Sequence, residues 1–272
     1  MKRLNRIYTI LIFLFLYLPM LVLIVGSFNT GKYLTEFEGF TFRRYAELFQ
    51  DRALLPLMMN SLKLALLSSI IATVMGTAAA IGIRRMGPRL RSFVLCVTNI
   101  PMTNPDIVTG VSLSLLFVFI GALLRNDHVL SFWTLLIAHV TFNLPYVILN
   151  VMPKLNQMDP ALHEAALDLG CTPFQAFRKV TIHEIMPGIV SGAIMAFTMS
   201  LDDFVISYFA YGPSFVTLPV EIYNYTKKPL QPKIYALFTL LFGLILVMMV
   251  VMNLFQARAE KKKTALRGHV NG

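Results

Sequence analysis

Six apolar runs alternate with polar connections along the chain. Uncharged stretches cover Ile7–Phe28, Leu64–Ile83, Ile107–Leu124, Val129–Pro153, Ile185–Leu201 and Ile234–Ala257. A helix needs about 20 apolar residues to cross the hydrocarbon of a bilayer. The fifth run is interrupted by Asp202 and Asp203 and resumes over Phe204–Tyr208. The third extends back towards Ser92, interrupted by Pro101, Pro105 and Asp106, and Pro105 prevents a regular helix there. The pattern predicts six spans, near residues 7–28, 60–83, 92–120, 131–152, 186–208 and 234–256. Lys2, Arg3 and Arg6 before the first span resemble the start of a signal peptide. Its 22 apolar residues, Ile7–Phe28, exceed a signal h-region and no small-residue cleavage site follows, so a retained helix is expected.

Composition supports the same class. The chain is 56% hydrophobic and 14% charged, with mean hydropathy +0.66. A soluble domain carries about 25% charged residues. The expectation is an all-α polytopic membrane protein, a single transmembrane domain over residues 1–272, without repeats. Basic residues set the orientation. With the N-terminus inside, inner segments hold 15 Lys and Arg and outer segments hold 7. This places both termini and the loop around Glu164 in the cytoplasm. The net charge of +10 is mostly this bias and gives no reason to invoke nucleic acid. The basic tail after Ala257 is expected to meet anionic lipid at the inner leaflet.

No enzyme constellation emerges. Gly26–Lys32 reads GSFNTGK, but Tyr33 replaces the Ser or Thr that ends a phosphate-binding loop, and no strand precedes it. His128, His139, His163, His183 and His269 are scattered, Cys96 and Cys171 are far apart, and no metal motif results. Asn224-Tyr-Thr226 is a bare glycosylation string. A pump with no nucleotide site must draw on a gradient or on a separate ATPase.

The intramembrane acids stand out. Ionisable groups are costly in hydrocarbon and usually face a cavity or a partner. Asp106 falls about 14 residues into the third span, roughly 21 Å along it, after Asn104-Pro105. Asp202 and Asp203 lie in the outer half of the fifth. Helix neighbours point about 100° apart. Asp202 continues a stripe of Ser191, Met195 and Thr198, and is the one assigned to the pathway. Asp203 continues Gly192, Ala196 and Met199, and is assigned to a helix contact. The alternative is that the acids cap broken helices or pair with Lys63, at the edge of the second span. With Tyr208, Phe209, Tyr211, Tyr223 and Tyr225 nearby, and Glu221 beyond, an anionic path suits an organic cation. Gly188, Gly192 and Ala196 recur every fourth residue, which permits close packing within the chain or against a second subunit.

The loop at 164–187 is polar and built like a knob. Asp159-Pro160 reads as an N-cap followed by a first-turn proline. A short helix over Ala161–Leu169 would end at Gly170, and Thr172-Pro173 would start a second over Phe174–Val180. The run Glu164-Ala165-Ala166, three residues, Gly170, nine residues, Val180, one residue, Ile182-His183 resembles the EAA motif of permease subunits of ATP-binding-cassette importers. His183 stands where that family has Pro, which implies a less kinked entry to the fifth span unless Pro187, four residues later, takes over that role. Asn104–Val108, Phe197–Ser207, Gly212–Ser214 and Leu218–Tyr223 resemble the spermidine/putrescine importer permeases, in particular the second permease subunit.

The resemblance implies a type I importer permease fold and a heterodimer with another permease. It implies two copies of a cytoplasmic ATPase and a periplasmic binding protein. ATP and Mg would sit on the ATPase and no cofactor on this chain. Glu164 and Gly170, flanked by Ala165, Ala166 and Asp168, would couple to the ATPase. Asp106, Asp202, Asp203, Tyr211, Glu221 and Tyr223 would line the substrate pathway. The rivals are an importer of another small solute such as an organophosphonate, a gradient-driven transporter using Asp106 and Asp202 as proton sites, and a receptor without transport. Basic pathway residues, inverted repeats and dispensable acids respectively would mark them.

Overall fold

The computed structural model describes residues 2–31, 36–125, 129–227, 233–247, 249–251 and 254. Lys32, His128, Lys228, His269 and the basic tail lie outside the described residues. Among the described residues the fold is all-helical, with only two isolated bridges, Asn29–Phe40 and Gly212–Phe215. Six helices are long and apolar enough to cross a membrane. They are α1 (Lys2–Ser27), α3 (Leu54–Arg85), α5 (Asp106–Leu123), α6 (Phe132–Gln157), α9 (Ile182–Asp202) with its N-terminal extension, and α12 (Lys233–Val251). Between them lie α2 (Arg43–Gln50), α4 (Pro88–Thr103), α7 (Pro160–Asp168), α8 (Pro173–Ala176), α10 (Val205–Ala210) and α11 (Leu218–Thr226).

The number of spans matches the apolar pattern, but two boundaries do not. The expected third span, 92–120, is two helices: α4 ends at Thr103 and α5 starts at Asp106. Pro105 lacks an N–H and disfavours helical backbone at the residue before it. Asn104 is accordingly extended, at φ −80° and ψ 140°. The expected fifth span, 186–208, also breaks. α9 stops at Asp202, Asp203 is extended at φ −65° and ψ 119°, and α10 begins at Val205.

The chain divides into two compact units. The first takes residues 1–57 and 222–251. After α1, the Asn29 side chain ties the following loop, accepting from Gly31 N at 3.0 Å and Glu38 N at 3.0 Å. The start of the phosphate-loop look-alike, Gly26-Ser27, is the last turn of α1. Phe28, Phe40, Phe42 and Tyr45 form a ring cluster, with Phe28 and Phe40 stacked at 5.1 Å. Lys233 Nζ donates to Asp51 Oδ2 at 2.6 Å.

The second unit holds residues 58–221 and is centred on α6. Leu135, Val147, Val151 and Leu155 of α6 pack with Leu64, Ala72 and Ala80 of α3, Ile185 and Ala196 of α9, and Ile206 of α10. The small-residue stripe of α9 is used within the chain. A Cβ on Gly188 would meet Asn150 O at 2.8 Å, and one on Gly192 would meet Val147 Cα at 3.2 Å. On the other side of α6, a Cβ on Gly76 would lie 2.8 Å from Val147.

Candidate functional site

Two places in the second unit concentrate chemistry: the Glu164 loop, and the two helix breaks with their carboxylates.

The loop folds as local chemistry requires. Asp159 caps α7, its Oδ1 accepting from Ala161 N at 3.0 Å, and Pro160 fills the first helical position, where an N–H has no partner to lose. Gly170 ends the helix in the left-handed region at φ 84°. Cys171 N donates to Ala166 O at 3.0 Å and Gly170 N to Leu167 O at 2.9 Å. These are the two bonds of a Schellman motif. Thr172 and Gln175 then cap α8 reciprocally, with Thr172 N donating to Gln175 Oε1 at 3.1 Å and Gln175 N to Thr172 Oγ1 at 3.3 Å. The expected second short helix, Phe174–Val180, is not separate. α8 passes through a π-helical turn, Phe177–Thr181, into α9, which begins at Ile182 and contains both His183 and Pro187. One extra residue per turn re-aims the α8 end without breaking the ladder. Glu164, Ala165, Asp168 and Gly170 are exposed, Ala166 is buried, and Leu162, Leu169 and Phe174 show apolar surface to the outside.

The acids occupy different settings. Asp106 follows the interruption that Pro105 is expected to impose on the third span. It is the first residue of α5, exposed, where a carboxylate complements the helix dipole. Asp202 is the last residue of α9 and is exposed; its side chain makes no hydrogen bond among the described residues. Asp203 is turned inward, its side chain 7% exposed. It accepts from Ile206 N at 3.2 Å and Ser207 N at 2.7 Å, capping α10 across the break. The helices at the two breaks touch. A Cβ on Gly110, one turn into α5, would meet Phe209 Cδ2 at 3.2 Å and Ile206 Cα at 3.4 Å on α10. Tyr211 follows α10 directly, in extended backbone, with its ring 6.4 Å from that of Tyr208. Glu221 lies in the first turn of α11. Tyr223 falls in the first unit, with Lys227 Nζ 4.9 Å from its ring centroid.

The sequence reading paired the acids with no base except Lys63. The structure supplies another partner. His139 of α6, 1% exposed, stands with Nε2 3.5 Å from Asp203 Oδ2. Its Nδ1 is 2.7 Å from Ser200 Oγ, and its Nε2 is 3.1 Å from Ser207 Oγ. Ser200 Oγ is in turn 2.9 Å from Ser68 Oγ of α3. Serine, histidine and aspartate also make up a hydrolase triad. Here His139, Ser200 and Ser207 are all buried, and no acyl group could approach. His139 was legible only as an ionisable residue inside an apolar run.

Residues 72–264 match the family described as binding-protein-dependent transport system inner membrane component. The chain belongs to that family. It is 37% identical to the spermidine/putrescine transport system permease protein PotC of Escherichia coli K12, over 93% of this chain and 94% of that one. It is 39% identical to the putrescine transport system permease protein PotI of the same organism, over 92% of this chain and 90% of the relative. The fold is shared with the crystal structure of a bacterial transporter involved in import of the acidic polysaccharide alginate. There the TM-score is 0.73 at 18% identity, covering 94% of this chain and 96% of that one. As a member of this inner-membrane family, the chain is a transport component that works with a binding protein.

Proposed function

We propose that this permease forms half of the pathway of an ATP-driven importer for small organic cations of the polyamine class, spermidine and putrescine. The observation that supports it best is the pair of broken helices, packed on each other, each with an exposed carboxylate at the break. Non-helical backbone at membrane depth is tolerated where it is buried in protein or lines a watery cavity. Carboxylates there offer charge-assisted acceptors to ammonium groups. The alginate importer shares the fold and carries an acidic cargo. The sign of the cargo therefore rests on the site residues and on the relatives PotC and PotI, not on the fold. Dependence on a binding protein, which defines the family, argues against the gradient-driven alternative.

In this reading Asp106 and Asp202 receive the cargo, with Tyr211, Glu221 and Tyr223 along the path, and Asp203 holds the break. The Glu164–Gly170 knob docks on the ATPase, which alone binds ATP and Mg; this chain holds no cofactor. The partners are a different permease, two ATPase copies and a periplasmic binding protein. A related fold was solved with such a protein loaded with alginate pentasaccharide, at a TM-score of 0.68. Both termini and the knob lie in the cytoplasm, and the chain serves as a single transmembrane permease domain.

The test is uptake of labelled spermidine and putrescine by Asp106→Asn and Asp202→Asn at matched expression. Asn keeps the shape and removes the charge. Loss of one charge-assisted contact costs about 1.5–3 kcal/mol, roughly ten- to a hundredfold in uptake. Asp203→Asn lowers recovery of folded protein instead, because its amide NH2 replaces one of the two oxygens that accept from Ile206 N and Ser207 N and so faces a donor. Wild-type uptake by both Asp106→Asn and Asp202→Asn would defeat the cation pathway.

A further inference from the structure

Asp202 poses a mechanical question. Its carboxylate is held by no hydrogen bond among the described residues, yet the proposed pathway needs it in a fixed place. Its position is therefore set by the backbone on either side of the break. That backbone is gripped from one point. His139 reaches Ser200, two residues before Asp202, through Nδ1 at 2.7 Å, and Ser207, five residues after it, through Nε2 at 3.1 Å. The same Nε2 lies 3.5 Å from Asp203, whose carboxylate caps the helix beyond the break. Ser68 fastens Ser200 to α3 at 2.9 Å. Elements α6, α9 and α10 thus meet at one imidazole that bridges both sides of a two-residue gap, and α3 joins through Ser68 on Ser200.

We infer that His139 is a positioning residue for Asp202. It bolts the ends of α9 and α10 together and so fixes where the neighbouring carboxylate points. The geometry separates this role from packing alone. His139, Ser200 and Ser207 are all buried, so their polar groups are expensive to seal in the core unless partnered. An apolar residue on α6 would fill the volume without linking the two helix ends. Asp203 makes the link specific. It satisfies two N–H groups of α10 and faces the ring, so the adjacent acids do different work: Asp203 is held, and Asp202 is presented. His139 touches no cargo in this scheme.

The inference rests on the reading that Asp202 faces the pathway, and its experiment keeps the two apart. The complete transporter is placed in proteoliposomes with its second permease and ATPase, and fed binding protein loaded with labelled spermidine. Asp202→Asn, His139→Ala, His139→Gln, Ser200→Ala and the double His139→Ala/Asp202→Asn are compared for half-saturating concentration and maximal rate. His139→Ala should change the same parameter as Asp202→Asn, in the same direction, within about threefold. The double variant should be no worse than the more damaged single. His139→Gln, whose amide can both donate and accept, should recover most of the loss, and Ser200→Ala should show a milder shift of the same kind. A double variant whose defect is the product of the two single defects overturns the positioning role. If Asp202→Asn transports normally, the pathway reading falls, and geometry is read directly. In a background with Cys96 and Cys171 changed to Ser, Asp202→Cys is labelled with a charged thiol reagent, with Met195→Cys as control. His139→Ala should change the labelling rate at 202 severalfold and leave the control unmoved. Equal rates at 202 with and without His139 overturn the inference whatever the transport result.

Discussion

Replacing Gly170 isolates backbone geometry from contact. The residue sits at φ 84°, and a Cβ built there meets nothing within 4 Å. Gly170→Ala therefore adds no clash, only strain. A left-handed conformation costs a residue with a Cβ about 1–2 kcal/mol. The alternative is to abandon the turn and lose the Cys171–Ala166 and Gly170–Leu167 bonds, each worth about 1 kcal/mol. Either route destabilises the end of α7 by about 1–2 kcal/mol, a factor of about 5–30 in its population. Asn tolerates this conformation better, and a β-branched residue tolerates it worse. The expected order of uptake is Gly, Asn, Ala, Val. ATPase co-purification should fall in the same order, while the thermal midpoint of the isolated permease barely moves, because no packing is touched. Equal uptake by all four, or Asn as harmful as Val, would refute the claim that the knob works through its Gly170 turn.

Three further outcomes test the frame around the site. Gly188→Ala should destabilise the protein by about 1–3 kcal/mol through overpacking against Asn150 O, whereas Gly82→Ala, with open space, should be neutral or stabilising; equal thermal midpoints would contradict the α6–α9 packing. The hydrogen bond from Lys233 holds the Asp51 carboxyl below its ordinary range. A depressed carboxylate stabilises the fold above its unfolded pKa and loses that contribution as pH falls through its folded value. Asp51→Asn should thus be less stable than wild type at neutral pH, with the gap closing in acid; a pH-independent gap in thermal midpoint contradicts the ion pair. A reporter active only in the periplasm should work when fused after Arg43 and be silent after Ala257; activity at Ala257 reverses the orientation.

The sequence carried the knob almost completely, because its signals are local. Asp159-Pro160, Gly170 and Thr172-Pro173 each impose a cap or a stop on their own neighbours, and the structure has all of them. The six spans were legible for the same reason, since apolar length alone decides them. What escaped was non-local. The π-helical turn at Phe177–Thr181 has no composition signal, and it carries α8 into α9 where two separate helices were expected. Pro105 announced a disturbance, but not that α4 and α5 would be separate helices with Asp106 leading the second. His139 lies more than sixty positions from Ser200 and Ser207, and nothing in its own run says what it faces.

Asp202 and Asp203 show what that non-local part decides. Treated as neighbours on an unbroken helix, they differ only by a rotation, and both must put a charge beside an apolar core or a partner. Sealing an unpaired carboxylate in such a core costs several kcal/mol. The break removes the conflict. With backbone extended at Asp203, its carboxylate folds back onto the N–H groups of α10 and the ring of His139, while Asp202 stays at the open end of α9. One carboxylate is engaged by the structure, and the other is left exposed, available to cargo in the proposed pathway. Asp106, across the α5–α10 contact, also stands exposed at a helix end made by an adjacent interruption. The carboxylates that remain available are those at the ends of helices, where the chain gives up regular hydrogen bonding. In the proposed pathway, ammonium groups would meet charge at those two places.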